Sequence, residues 1–191
     1  MKLIKIGCLI LVLSLTGISC AKPPRTEMNN AIEAVARAEN DPDAVLYAGN
    51  TLIRAKDALT RMQTEADAKR YDAAKTYAAE AVAAADKAIA DGRAGVIRAR
   101  DEAAALVAGL RPAIEETDRG IRSAASAGLN LDFRAINMDF EVVQQNAAQA
   151  EASLAINQYQ DALETGRSAQ SGLHDINQRL SDAVMAVSRK K

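Results

Sequence analysis

Few residues in this chain are of a type that could do chemistry, so the first question is whether any of them converge. His174 is the single histidine, beside the apolar Leu173. A lone imidazole without a second His or a neighbouring Cys lacks the donors for a usual zinc site, and no metal or cofactor is expected. The carboxylate pairs Asp101-Glu102 and Glu115-Glu116 fall in helical sequence. Consecutive side chains on a helix diverge by about 100°, so neither pair can close on a substrate as acid and base. Arg98 and Glu102, four residues apart, are placed for a helix-surface ion pair of roughly 0.3 kcal/mol. The sequence has no phosphate-cradling glycine loop and no nucleophile elbow. No catalytic residue is assigned, and the chain is read as non-enzymatic.

The two cysteines call for a different chemistry. Lys2 and Lys5 precede an apolar run from Ile6 to Leu15 that contains Cys8, and Ser14, Thr16, Gly17 and Ser19 then lead to Cys20. A charged start, a short apolar stretch and small residues form an export signal. The run falls short of the roughly 20 apolar residues that cross a bilayer. Cleavage before Cys20 leaves one thiol in the mature chain and no internal disulfide. The stretch Gly17-Ile18-Ser19-Cys20 resembles a bacterial lipobox. That resemblance implies a signal peptide over residues 1–19, a diacyl or triacyl (palmitate-type) lipid on Cys20, and a tether over 20–25 stiffened by Pro23-Pro24. The competing reading is an ordinary signal-peptidase site after Ala21, since Ser19-Cys20-Ala21 also fits the small-x-small rule. By resemblance to the sorting rule for such lipoproteins, Ala21 implies the outer membrane, facing the periplasm. Several acyl chains at about 0.8 kcal/mol per buried CH₂ would anchor the chain without any protein contact.

Composition dictates what must carry this anchor. Of 191 residues 49% are hydrophobic, yet 41 of them are Ala, with no Trp, two Phe and four Tyr. Alanine favours helix and buries little area, so stability must come from many close contacts along long helices. With Lys2 and Lys5 removed, 22 of the 24 basic residues face 25 acidic ones. Charges of both signs are interspersed and no aromatic platform accompanies them, which argues against nucleic acid.

Periodicity gives an all-α fold of elongated antiparallel hairpins with coiled-coil-like, Ala-rich seams, within one helical domain over 26–191. Thr26 is the expected N-cap of a helix from Glu27 to about Glu39, apolar at Met28, Ile32 and Val35. It is stopped by Asn40-Asp41-Pro42, with Asp43 capping the next helix. A hairpin over 44–110 follows. Its first stripe is Val45, Ala48, Leu52, Ala55, Leu59, Met62 and Ala66. Its second stripe begins near Tyr71 and carries Val82, Ala85, Ile89, Gly92, Val96, Ala99, Ala103, Leu106 and Leu110. Gly92 lies on that stripe and is read as a point of close backbone approach. Pro112 should kink or end the helix, leaving a kinked segment over 111–127 before a break at Gly128-Leu129-Asn130. The second hairpin, 132–188, carries Ile136, Phe140, Val143, Ala147, Ala150 and Leu154. Its returning arm carries Ala162, Gly166, Ala169, Leu173, Ile176, Leu180, Ala183 and Val187. Setting Tyr71 against Tyr159 superimposes the two hairpins in phase and suggests a duplication.

The segment from Cys20 to about Arg93 resembles a family of alanine-rich bacterial envelope lipoproteins with a helical domain of unknown function, often beside OmpA-like modules. The matching residues are the lipidated Cys and prolines, Ala31 to Ala38, Tyr47-Ala48, Ala55 to Leu59, Tyr71, Ala74, Ala78, Ala81 and Ala85. No OmpA-like module follows. Tyr71, Ala74 and Ala78 also resemble the second helix of a tetratricopeptide repeat.

Two function classes follow. The leading one is a membrane-anchored helical spacer or protein-docking scaffold, its partners being the membrane through Cys20 and other envelope proteins or peptidoglycan. The other is a tetratricopeptide-like ligand-binding or transport-accessory lipoprotein, which would gather Tyr47, Tyr71, Tyr77 or Tyr159 on a concave face. The terminal Ser188-Arg189-Lys190-Lys191 either complements a helix C-terminus or attaches to an anionic layer. Lys191 occupies the place of the lysine that joins the major outer-membrane lipoprotein to peptidoglycan.

Overall fold

A computed structural model describes residues 22–189. Residues 1–19, read as a signal peptide, Cys20 and Lys191 lie outside the described residues. Six helices follow in order: α1 (Arg25–Glu39), α2 (Pro42–Tyr47), α3 (Gly49–Asp67), α4 (Tyr71–Ser126), α5 (Phe133–Ala155) and α6 (Tyr159–Ser188). No strand occurs among the described residues, and the fold is all-α. The helices form two compact units that divide at Arg93 and Ala94, so α4 supplies residues to both.

In the first unit α1, α3 and the start of α4 meet through small side chains. Of its 14 clustered buried residues, 11 are Ala, and only Val35, Leu52 and Met62 are larger. Such a seam gains its energy from many short contacts rather than from bulky inserts. The helix starts differ from the sequence expectation. Pro24, not Thr26, sits at the N-cap of α1, because proline supplies a suitable φ and Thr26 falls inside the first turn. Asp41, not Asp43, caps α2, its carboxylate accepting from the Ala44 amide at 2.8 Å with Pro42 at the first helical position. The expected single stripe from Val45 onward is interrupted at Ala48, where φ is −127°. That break turns α2 out of phase with α3 and leaves Val45 53% exposed. Ile32 is likewise exposed. The buried face of α1 is Ala31, Ala34, Val35 and Ala38, with Met28 packed against it, so of the expected Met28, Ile32 and Val35 only Ile32 points outward.

Gly92 is where the chain comes closest. A methyl group built on it would lie 2.6 Å from both the Ala44 nitrogen and the Asp43 carbonyl carbon. Only glycine fits there, as its place on the stripe implied.

The second unit packs the remainder of α4 against α5 and α6, and its core is built differently. Its largest cluster is Ile121, Ile136, Phe140, Val143, Leu173, Ile176 and Leu180 with Leu110, Ala124 and Ala169, while Ala99, Ala103, Ala150 and Ala162 are buried elsewhere in the unit. Pro112 does not end α4, which continues to Ser126. The carbonyl freed by its missing N–H is that of Ala108. Both residues are exposed, so water can satisfy that oxygen and the break is tolerated. The helix stops instead at a Schellman motif. Gly128 has φ +66°, its amide donates to the Ala125 carbonyl, and the Leu129 amide donates to the Ala124 carbonyl.

The two hairpins share positions at the offset that sets Tyr71 against Tyr159. Lys69 (φ 58°) and Asn157 (φ 63°), 88 residues apart, are the two non-glycine residues with positive φ among the described residues. Each closes the same turn: the Arg70 amide donates to the Glu65 carbonyl at 2.9 Å, and the Gln158 amide to the Ser153 carbonyl at 2.9 Å. At the same offset, buried Ala48, Leu52, Ala55 and Met62 correspond to buried Ile136, Phe140, Val143 and Ala150. Buried Ala74, Ala78, Ala81, Ala85 and Ala88 correspond to buried Ala162, Gly166, Ala169, Leu173 and Ile176. A cross-seam polar contact also recurs. Thr51 Oγ1 donates to Asp91 Oδ2 at 2.9 Å in the first hairpin, and Arg179 pairs with Asp139 in the second. A shorter offset relates Met28, Ala31, Val35 and Ala38 of α1 to Ile114, Thr117, Ile121 and Ala124 of α4, the intervening connection being longer in the second unit.

Gly92→Ala should lower stability by about 2 kcal/mol, because backbone rather than a flexible side chain must give way. Gly109→Ala, whose methyl would meet nothing within 4 Å, should raise it by about 0.5–1 kcal/mol. Urea midpoints of the two variants check both signs. Lys69→Gly should stabilise by about 1 kcal/mol, since a lysine in the left-handed region is strained. Asn157→Gly should change little, asparagine tolerating that region, and thermal melts distinguish the two.

Candidate functional site

The residues singled out for chemistry are dispersed by the fold. His174 is exposed on α6, one position beyond the buried Leu173. Asp101 accepts from Arg100, through Nε at 3.0 Å and Nη2 at 2.8 Å, whereas Glu102 takes Arg167 of α6. The expected Arg98–Glu102 pair does not form. An exposed ion pair along one helix is worth only tenths of a kcal/mol, and Arg167, reaching across the seam, takes Glu102 in its place. Glu115 and Glu116 border two different grooves, as the 100° step requires. Among the described residues no group of three or more His, Cys, Asp or Glu is placed to hold a metal ion.

The tyrosines are engaged locally. Arg61 stacks over the Tyr77 ring, 5.9 Å from its centroid, and the Tyr159 hydroxyl donates to Asn157 Oδ1 at 2.7 Å within its own turn. A groove of about 590 Å³ runs between α4 and α5 over Leu110, Pro112, Ile114 and Ala147, and no tyrosine lines it. The Arg111–Glu151 pair, 3.7 Å apart, spans its rim.

Two polar features were not legible in the sequence. Thr117 is fully buried in the second unit and accepts from Asn177 Nδ2 at 2.9 Å, a contact 60 residues apart that no helical spacing signals. Asp91 gathers Thr51 and the Lys87 ammonium, at 2.7 and 3.0 Å, on the edge of the first seam. No buried side-chain N or O among the described residues lacks a partner. Convergent, partly unsatisfied polar groups are the mark of a reactive centre. These contacts hold helices together instead.

The part of the chain with the alanine seam is also the part with a recognised relation. Residues 26–105 match the family described as Domain of unknown function (DUF4398). The DUF4398 match takes in the whole alanine-seamed unit from α1 onward and ends within α4, at the start of the second unit. No curated protein and no solved structure matches the chain. No helix among the described residues is long and apolar enough to cross a membrane.

At the hairpin turn beside the DUF4398 seam, Arg70 pairs with Glu65 through two hydrogen bonds. The hydrogen bond from Arg70, aided by its charge, holds the Glu65 carboxyl below the usual carboxylate range. Because the folded value is depressed, the contribution of this pair is present above the unfolded carboxylate pKa and is lost as pH falls through the folded one. A carboxyl-detected NMR titration should therefore show the Glu65 midpoint rising in Arg70→Gln. An unchanged midpoint would show that the turn pair is not formed in solution.

Proposed function

We propose that this chain is a non-enzymatic envelope lipoprotein, anchored by lipid on Cys20, whose helical bundles serve as a spacer or docking scaffold for other envelope components. The observation that carries this reading is the narrow alanine seam of the first unit. Its helices are packed side to side through Ala31, Ala38, Ala55, Ala81 and Ala88, with Thr51–Asp91, Lys56–Glu39 and Arg37–Asp86 as polar contacts between them. Such a body presents long solvated helix faces and little enclosed volume, which suits contact with large partners better than capture of a small substrate. The leader, the Gly17-Ile18-Ser19-Cys20 lipobox and the Pro23-Pro24 tether supply the membrane attachment. Ala21 favours the outer membrane, with the helices facing the periplasm, where envelope proteins or peptidoglycan are within reach.

A second reading, a transport-accessory or ligand-binding lipoprotein, has one observation in its favour: the open apolar groove over Leu110, Pro112 and Ala147. Without the tyrosine-lined concavity that a tetratricopeptide-like site would use, it stands behind the first.

Cells expressing the chain should incorporate labelled palmitate into the wild type and not into Cys20→Ala, and equal labelling of both would reject the anchor. Crosslinking in cells followed by mass spectrometry should recover envelope proteins or peptidoglycan fragments on the helical region. Recovery of a small ligand in their place would favour the second reading.

A further inference from the structure

We infer that the end of the first unit from which the chain leads back to Cys20 is a face for anionic lipid headgroups. The inference rests on the lipidation of Cys20 proposed above and adds to it a second, electrostatic attachment.

Lys22, Pro23, Pro24 and the first turn of α1 form one wall of a shallow groove of about 430 Å³, and Lys75, near the start of α4, forms the other. Two segments some fifty residues apart thus bring Lys22, Arg25 and Lys75 around one opening. None of the three makes an ion pair or hydrogen bond through its side chain among the described residues, whereas nine other basic residues in the structure are paired. Glu27 is the one carboxylate in the lining, so cations dominate it. Asp72 lies one turn before Lys75 but does not line the groove. The N-cap of α1 is Pro24, with no side chain accepting from the first turn; the Arg25 amide donates to the Pro23 carbonyl at 2.9 Å, which leaves the Thr26 and Glu27 amides for an external phosphate oxygen.

Chain length decides which anion this face meets. Lys22 is two residues from Cys20, a reach of at most about 7 Å, which is less than one Debye length at physiological salt. Acyl chains on Cys20 hold that residue at the bilayer surface and therefore bring this opening into the headgroup layer by covalent constraint. A single lipid signal reinforced by basic residues is a recurrent mode of surface attachment, and anionic headgroups supply the complementary charge.

The test uses the full chain purified from membranes of expressing cells and reconstituted into vesicles of phosphatidylcholine alone or mixed with phosphatidylglycerol. Backbone hydrogen exchange over residues 22–30 and 71–76 should slow several-fold in the mixed vesicles relative to the neutral ones. High salt and Lys75→Gln should each remove the difference. Lys75→Gln lies far from the processing site, so it leaves export and acylation intact, and its circular dichroism should match the wild type. Equal exchange in the two vesicle types for an acylated chain would overturn this inference while leaving the anchor standing. An intact mass without acyl groups would defeat both. Protection of the same residues by purified peptidoglycan and not by mixed vesicles would overturn it in favour of a cell-wall contact.

Discussion

Helices can lie closely side by side only where the side chains between them are short, and the first unit is organised around that constraint. Its buried positions on α1, α3 and α4 are alanines almost throughout, and at Gly92 even a methyl group would strike the backbone of α2. The constraint explains why a chain with so few large apolar residues still forms an enclosed core. Many short contacts replace a few large ones. It also explains the surface, since helices packed this tightly leave little space between them and push their charged residues outward into ion pairs such as Lys56–Glu39 and Arg37–Asp86.

The second unit shows that the hairpin plan does not depend on alanine itself. Where the first hairpin has Ala55, Ala85 and Ala88, the second has Val143, Leu173 and Ile176, at matching phase and with the same left-handed turn at Asn157. Larger inserts call for relief elsewhere. Gly166 and Gly172 lie against Leu106 and Val143, and a methyl built on either would stand closer than 3 Å to those side chains. One hairpin geometry is thus filled in two ways, and the DUF4398 match covers the alanine-filled one.

Most of this architecture was legible in the sequence, because three-and-four spacing is a direct record of which helix face is buried. The runs from Ala48 to Met62 and from Ala162 to Leu180 face inward as read, and Gly92 is a contact point. What escaped the reading were features that spacing does not encode. The start of α1 at Pro24, the Asp41 cap and the phase shift at Ala48 each depend on one residue's backbone angles, and Ile32 and Val45 were misplaced for that reason. Whether Pro112 kinked or ended the helix stayed open because sequence alone does not tell whether the freed Ala108 carbonyl faces water. Glu102 found Arg167 rather than Arg98, since contacts across a seam have no local signature. The chemistry was legible mainly as dispersion: the carboxylate pairs diverge and His174 stands alone. Cys20, on which the proposed anchor depends, lies outside the described residues.

A surface of repeated alanines carries little information about alignment, because sliding one helix past another by a turn exchanges one methyl contact for an equivalent one. In the alanine seam of the first unit the contact Thr51–Asp91 removes that degeneracy, since a slip of a single turn would sever it. That polar pair therefore acts as an index mark, choosing one registration among several that methyl packing alone would hold nearly equal.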